Sequence, residues 1–247
     1  MPDAKLAEIY AALAAQSRGG PVAAAVTRET KPLRRSPGGA IALPFPEPFG
    51  SIRLMAAPVL LDEQAQAAVD EAVASAAARW PREDVFTTPR AQLHVTLFHM
   101  SRPGDTRPVL DEAGMADELG RVRAIGAATP PFTLVIDRLL LSDSGVLLLL
   151  FQTTGGDRTP FELREALRAA FPDAPAKQSI LLHSSLARTL QVPPSPEALA
   201  AATAACERAT QLLHGREVPM RSIWHVVERA LPVAGTVVDI PLRSGSA

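Results

Sequence analysis

The chain has 247 residues, of which 47% are hydrophobic and 21% charged, and its formal net charge is −1. These values exclude a disordered chain and allow one large domain or two small lobes. They also disfavour a protein that follows a long nucleic-acid tract, because such proteins carry a basic stripe and this chain has only Arg34-Arg35. The single cysteine, Cys206, excludes an intramolecular disulfide and a cysteine-cluster zinc site.

The sequence also bears on location. It contains no apolar run of membrane-spanning length, and its start lacks the pattern of a secretory signal. We therefore expect a cytoplasmic protein without a membrane partner, in a reducing compartment. Arg28, Arg34 and Arg35 leave organellar targeting by the first 50 residues open.

Residues 1–50 predict an N-terminal extension that is partly irregular. Ala4 to Gln16 has apolar side chains at helical spacing and indicates a short helix. Glycines and prolines then recur between residues 19 and 48 and oppose regular structure. Regular patterning begins near residue 51, so we place the start of the main domain there.

Residues 51–242 alternate between strand and helix patterns. The predicted elements of the first half are a strand at 52–61, a helix capped by Asp62 and running to Trp80, a strand at 93–98, a helix at 109–125 and a strand at 132–141. The last of these forms a hairpin with the next strand through the turn Asp143-Ser144-Gly145.

The pattern then repeats. The predicted elements of the second half are a strand at 146–153, a helix opened by the capping box Thr159-Pro160-Phe161-Glu162, a strand at 180–186, a helix from Ser195-Pro196 to Leu213, and strands at 222–230 and 236–242. Both halves contain strand, helix, strand, helix and strand in this order, which indicates an internal duplication. Residues 243–247 are predicted to be a tail.

Each half carries one histidine and one hydroxyl on a strand. His94 and Thr96 are two residues apart, as are His183 and Ser185, so each pair lies on one face of its strand. A hydroxyl can donate to a phosphate oxygen, and an imidazole can be neutral or protonated near pH 7. Two such pairs that face each other across a cleft would supply the base and the acid for in-line cleavage of a phosphodiester.

These paired His-x-Thr and His-x-Ser motifs resemble those of the 2H phosphoesterase superfamily, which includes 2′-5′ RNA ligase-like proteins and cyclic nucleotide phosphodiesterases. The apolar segment that starts at Pro131 and the run His183–Arg188 extend the resemblance over about residues 50–242. The second motif departs from the pattern in two places. Leu182 stands where many relatives have proline, and Ser184 stands where the residue is usually apolar.

The resemblance implies an α+β fold made of two duplicated lobes. Each lobe would be a mainly antiparallel sheet with helices on its outer face, and the active cleft would lie between the lobes. The resemblance also implies opening of a 2′,3′-cyclic or related cyclic phosphate of a nucleotide or RNA end, with no metal or cofactor and with a 2′-phosphate as product. The sequence itself has no HExxH motif, paired aspartate run or Cys/His ligand cluster.

In this mechanism one histidine deprotonates water while the other protonates the departing ribose oxygen. We favour His183 as the base and His94 as the acid. Thr96 and Ser185 would hold the non-bridging oxygens as charge builds on them.

Three further side chains near the motifs are open to two interpretations. Arg188 is a candidate phosphate contact, but strict alternation turns it away from His183 unless a bulge re-aims it, and an ion pair is the alternative. Phe98 shares the face of His94 and could stack a base, or simply pack. His99 falls on the core side of its strand or beyond the strand's end, which favours a structural role.

Two other classes of function remain open from the sequence. The chain could be a nucleotide-binding or RNA-end-binding module of the same fold without turnover, or it could act as an RNA-end exonuclease or a 2′-5′ ligase-type enzyme. A metal hydrolase is disfavoured and would lose activity in EDTA. We expect a monomer whose partner is a small nucleotide or an RNA end.

Overall fold

In the computed structural model, the residues described are 2–45, 51–102, 110–230 and 234–243. The helices are α1 (Pro2–Ser17), α2 (Ala23–Thr30), α3 (Glu63–Ala77), α4 (Glu112–Ala128), α5 (Thr159–Ala170) and α6 (Pro196–Leu213). The strands are β1 (Leu33–Arg34), β2 (Ile41–Ala42), β3 (Ile52–Pro58), β4 (Val85–Thr87), β5 (His94–His99), β6 (Phe132–Leu141), β7 (Val146–Thr153), β8 (His183–Thr189), β9 (Glu217–Met220), β10 (Ser222–Ala230) and β11 (Ala234–Pro241).

Two large antiparallel sheets organise these strands. The first sheet has the order β11-β10-β3-β5 and the second has the order β4-β8-β7-β6-β9, while β1 and β2 form a separate pair. Helices and the two sheets share one large apolar core, in which Leu149, Leu150 and Phe151 of β7 are fully buried. The predicted α+β architecture of antiparallel sheets is therefore confirmed.

The sheets do not follow the two halves of the chain. In the first sheet, β3 pairs with β10 from the C-terminal part of the chain, with Leu54 opposite Val226. The second sheet takes its edge strand from the first half, since β4 pairs with β8 through Val85 and Thr189. The two sheets therefore exchange strands between the halves of the chain, because strands pair by matching faces and not by their order in the chain.

Several local predictions are confirmed. The β6–β7 hairpin has the predicted bounds, and Gly145 adopts a left-handed conformation with φ 74° at its turn. The Asp62 side chain caps α3 by accepting a hydrogen bond from the Ala65 amide at 2.7 Å. The helix ends at Ala77, one turn earlier than predicted.

Other local predictions were wrong. Thr159 does not form a capping box, since its hydroxyl donates to the Asp157 carboxylate at 2.6 Å and α5 has no side-chain cap at Arg158. β8 begins at His183 and not at residue 180, because the carbonyls of Ile180 and Leu181 bond to the Arg164 side chain instead of to a neighbouring strand. A helix, α2, occupies part of the stretch where irregular structure was expected.

The first 45 residues form a segment that bonds to both large sheets, and we call residues 2–45 the N-terminal strap. Its predicted helix, α1, is present, and Leu6 and Tyr10 on it are buried in the main core. Farther along, the amide of Ala40 donates to the Val85 carbonyl at 3.0 Å and the amide of Phe45 donates to the Arg229 carbonyl at 2.8 Å. Residues 46–50 of the predicted extension lie outside the described residues.

None of the helices in the described part of the chain combines the length and the apolar character that crossing a membrane requires.

Candidate active site

The strand of the first motif contains a β-bulge directly after its hydroxyl residue. Thr96 of β5 pairs with Ala56 and Phe98 pairs with Met55, so Leu97 is an extra residue without a partner in β3. A bulge of this kind shifts every later side chain to the opposite face of the strand.

The strand of the second motif contains the same bulge at the same place. Ser185 of β8 pairs with Leu148 and Ala187 pairs with Leu147, so Leu186 is the extra residue. Each bulge therefore follows its histidine by three positions.

Because of the bulges, the residue five positions after each histidine returns to the face of that histidine. In β5, His94, Thr96 and His99 are half-buried while the residues between them are buried. In β8 the same pattern is shown by His183, Ser185 and Arg188. The two strands thus present matched sets of three polar side chains.

This geometry corrects three sequence-based interpretations. Arg188 shares the face of His183, and its positive charge lowers the pKa of both His183 and His94. His99 lies on the polar face and not on the core side. Phe98 is 1% exposed and its ring packs under the guanidinium of Arg168, 5.1 Å from its centroid, so it offers no surface on which a base could stack.

His94 is oriented by a backbone hydrogen bond. Its Nδ1 lies 2.8 Å from the carbonyl oxygen of Gln92, to which it donates, so Nε2 is the ring nitrogen left for a substrate. Burial lowers the pKa of His94, the Gln92 bond acts in the opposite direction, and the charge of Arg188 lowers it further. The bond to Gln92 therefore favours the protonated ring against its surroundings.

His183 lacks this support. Its Nδ1 is buried and has no hydrogen-bond partner among the described residues. Burial lowers the pKa of His183 to about 4, and the charges of Arg188, His94, Arg164 and His99 act in the same direction. The two predicted histidines are therefore close enough for the charge of one to oppose the charge of the other.

Arg164 of α5 ties the two motif strands together, a role that the sequence analysis missed. Its Nε donates to the Leu97 carbonyl at 2.9 Å, and its Nη1 donates to the Ile180 carbonyl at 2.9 Å. Its Nη2 lies 2.9 Å from the carbonyl of Leu181 and 3.3 Å from that of Thr96. Burial lowers the pKa of Arg164 to about 10, at which it is still charged at neutral pH. An arginine one position after the buried Leu163 of an amphipathic helix was the available signal.

A second side chain fixes the end of β5. Gln178 accepts a hydrogen bond from the His99 amide at 2.8 Å and donates one to the His99 carbonyl at 2.9 Å. The segment that leads into β8 is therefore fastened to β5 at both ends, by Gln178 and by Arg164.

A group of three or more His, Cys, Asp or Glu side chains suited to a metal ion does not occur within the residues that the structure describes.

Two antiparallel sheets that bring together matched His-x-Thr and His-x-Ser strands define a two-histidine phosphoesterase architecture. The chain belongs to the 2′-5′ RNA ligase superfamily, since the family model of that description matches residues 61–217, more than half of the chain. This is the 2H phosphoesterase group that the motifs resemble, so the family expectation is confirmed. Its members are generally phosphoesterases or ligases, which places the chain among enzymes that act on phosphoesters.

Solved structures share this fold at low sequence identity. TT0787 of Thermus thermophilus is 21% identical, with a TM-score of 0.52, over 78% of this chain and 99% of its own. ATU0111 of Agrobacterium tumefaciens str. C58, a conserved protein of unknown function, is 15% identical, with a TM-score of 0.60, over 85% and 90%. Kluyveromyces marxianus Usb1, solved with uridine monophosphate, is 16% identical, with a TM-score of 0.51, over 78% and 99%. No curated protein sequence matches the chain.

Proposed function

We propose that this protein hydrolyses a 2′,3′-cyclic or related cyclic phosphodiester of a nucleotide or RNA end, using His94 and His183 as acid and base without a metal or cofactor. One observation carries the proposal. Two half-buried imidazoles, each followed by a hydroxyl on the same strand face, lie close enough that the charge of one lowers the pKa of the other. The uridine monophosphate in the Usb1 structure supports a substrate of nucleotide size.

Differences between the surroundings of the two rings support His183 as the base and His94 as the acid. His183 has a pKa of about 4 and is neutral at pH 7, so it is ready to take a proton from water. Burial also lowers the pKa of His94, but the bond from its Nδ1 to the Gln92 carbonyl acts in the opposite direction, and the Nδ1 of His183 has no such partner among the described residues. We therefore choose His94 as the acid that protonates the leaving ribose oxygen through Nε2.

In the proposed reaction, water attacks phosphorus as His183 removes its proton, and the bond from phosphorus to the ribose 3′ oxygen breaks as His94 protonates that oxygen. The product carries a 2′-phosphate. Thr96 and Ser185 donate hydrogen bonds to the non-bridging oxygens, where negative charge increases in the transition state. Arg188, on the same face of β8, adds a positive charge beside them.

The pH dependence follows from the charges in the cleft. In the free protein the pKa values of both rings are lowered, whereas an anionic phosphodiester beside Arg188 raises them and allows His94 to gain its proton. We expect a bell-shaped profile for kcat/KM whose acidic limb reflects His183 near pH 4, and a kcat profile displaced to higher pH. A flat profile across pH 4 to 8 would contradict a two-histidine mechanism.

The direct test is an assay with 2′,3′-cyclic mononucleotides, an oligonucleotide ending in a cyclic phosphate, and ADP-ribose cyclic phosphate, all in EDTA. His94→Ala and His183→Ala should each lower kcat by about 10²–10⁴-fold without unfolding the chain. His214→Ala is the matched control, because that exposed ring also bonds a backbone carbonyl, that of Asp137, at 2.8 Å. Full activity in both single variants would overturn the mechanism. Binding of a nucleoside 2′-phosphate without turnover of any substrate would identify a binding module instead.

A further inference from the structure

The guanidinium group of Arg164 is bonded on two sides by backbone carbonyls from different parts of the fold. On one side are the carbonyls of Thr96 and Leu97 in β5, and on the other are those of Ile180 and Leu181, which lead into β8. All four distances lie between 2.9 and 3.3 Å. The planar fork of an arginine can satisfy several acceptors at once in this way, whereas a lysine ammonium cannot reproduce its geometry.

These contacts replace a missing strand ladder. β5 is the edge of the first sheet and β8 belongs to the second, so no ladder joins the two strands in the described sheets. The contacted carbonyls are two or three residues from each histidine, at Thr96 and Leu97 on the His94 side and at Ile180 and Leu181 on the His183 side. The guanidinium group therefore connects the backbone beside one ring to the backbone beside the other.

Arg164 also lacks a counter-charge. Within the described residues it forms no ion pair with a carboxylate, and its charge lies among backbone carbonyls and over the ring of Phe161, 5.9 Å from the ring centroid. Desolvation makes a half-buried cation at this position unfavourable for stability. The advantage of an arginine over an apolar residue here is therefore the hydrogen-bonding geometry of its guanidinium group.

We propose that Arg164 is a positioning residue that sets the separation of β5 and β8, and thereby the distance between His94 and His183 across the scissile phosphate. This inference rests on the proposed function for its catalytic consequence. A displacement of about 1 Å between reacting groups can lower a rate by about 10²-fold, so loss of Arg164 should lower kcat far more than it weakens binding.

Arg164→Ala tests the proposal, and Arg168→Ala is its matched control. Arg168 lies one turn later on α5, is also half-buried, and donates to three backbone carbonyls, those of Ala174, Pro175 and Ala176. It contacts β5 through the ring of Phe98 but forms no hydrogen bond with the backbone of either motif strand. We expect Arg164→Ala to lower kcat by about 10²-fold with KM changed less than about threefold. Each variant is assayed at a urea concentration that gives it the same folded fraction as the other. Millimolar guanidinium, compared with the same concentration of sodium chloride, should restore part of that kcat.

Arg164→Lys separates geometry from charge and provides a second variant if Arg164→Ala does not fold. Lysine keeps the positive charge near His183 but loses the fork, so kcat should stay low and guanidinium should not restore it. Activity of Arg164→Lys equal to that of the wild type, or a kcat for Arg164→Ala equal to that of Arg168→Ala, would overturn the proposal.

A measurement without turnover distinguishes failure of this inference from failure of the proposed function. In the wild type, His94→Gln should raise the pKa of His183, measured by NMR of the imidazole ring, because the charge of His94 lowers it. In Arg164→Lys the same change at residue 94 should have a smaller effect, since the rings are farther apart. An equal change in the pKa of His183 in both backgrounds would show that Arg164 does not set the spacing of the two rings. That result does not depend on which substrate the protein hydrolyses.

Discussion

His183 occupies a position that disfavours its charged form, which couples the stability of the protein to pH. Its pKa is about 4 in the folded chain and about 6.5 for an exposed histidine. As pH falls through this window, the unfolded chain binds a proton that the folded chain does not, so the free energy of unfolding decreases.

His183→Asn should therefore make stability less sensitive to acid. We expect the difference in Tm between pH 7 and pH 5 to be smaller in this variant than in the wild type, as measured by circular dichroism. The exposed His214→Ala should leave that difference unchanged. The prediction is wrong if His183→Asn and the wild type lose the same Tm over this range.

Ser184 is a polar residue inside the core. It is 1% exposed, and its hydroxyl has no hydrogen-bond partner among the described residues. Ser184→Ala removes an unsatisfied group and should stabilise the fold by about 1 kcal/mol, measured by urea denaturation. Ser185→Ala, on the polar face of the same strand, should instead lower kcat with little change in stability. A loss of stability in Ser184→Ala would indicate that the hydroxyl is bonded.

At the scale of single strands, sequence patterns identified the elements well where the pattern was long. The β6–β7 hairpin was predicted with correct bounds, because two apolar strands flank a turn that ends in a glycine. The motif pairs were also found, because His94 with Thr96 and His183 with Ser185 obey simple alternation. The bulges that follow them leave no comparable mark, since Leu97 and Leu186 look like ordinary apolar strand residues. The placement of His99 and Arg188 therefore could not be read from the sequence.

The start of β8 shows a second limit. The apolar run Ile180–Leu182 looks like a strand, but the carbonyls of its first two residues are taken by a side chain from elsewhere in the chain. Arg164 binds both of these carbonyls, whereas that of Leu182 accepts from the Phe151 amide of β7 at 2.8 Å, with the Tyr10 hydroxyl 3.1 Å away. Such long-range satisfaction of the backbone is not encoded in the local pattern.

Tyr10 links α1 to the end of the second sheet. Its hydroxyl donates to the Phe151 carbonyl at 2.6 Å and accepts from the Leu182 amide at 3.2 Å, and the whole side chain is buried. Tyr10→Phe keeps the ring but leaves both backbone groups without this partner, so it should destabilise the protein by about 1–3 kcal/mol. The urea midpoint should fall while the m-value stays constant. An unchanged midpoint would show that these groups find other partners.

The N-terminal strap is an integral part of the whole molecule, although it precedes the residues that the family model matches. The family model begins at residue 61, yet the strap buries Leu6 and Tyr10 in the main core and bonds to strands of both sheets. Its composition, with glycines and prolines at short intervals, gave no indication of this integration.

Deletion of residues 1–45 should therefore impair folding of the remainder. We expect a broadened thermal transition and binding of a hydrophobic dye, because apolar core surface becomes exposed. Adding the missing segment as a separate peptide should reverse part of the effect. A truncated chain that unfolds as sharply and at the same Tm as the full chain would contradict this expectation.

The arrangement of strands has a consequence for biosynthesis. Every strand of the second sheet precedes residue 221, whereas the first sheet needs β10 and β11 from the end of the chain. On the ribosome the strands of the second sheet are therefore complete first, while β3 of the first sheet can pair with β5 but waits for β10, about 170 residues away. During that interval the nascent chain displays an unpaired apolar edge, at Leu54 and its neighbours, to chaperones and to other nascent chains.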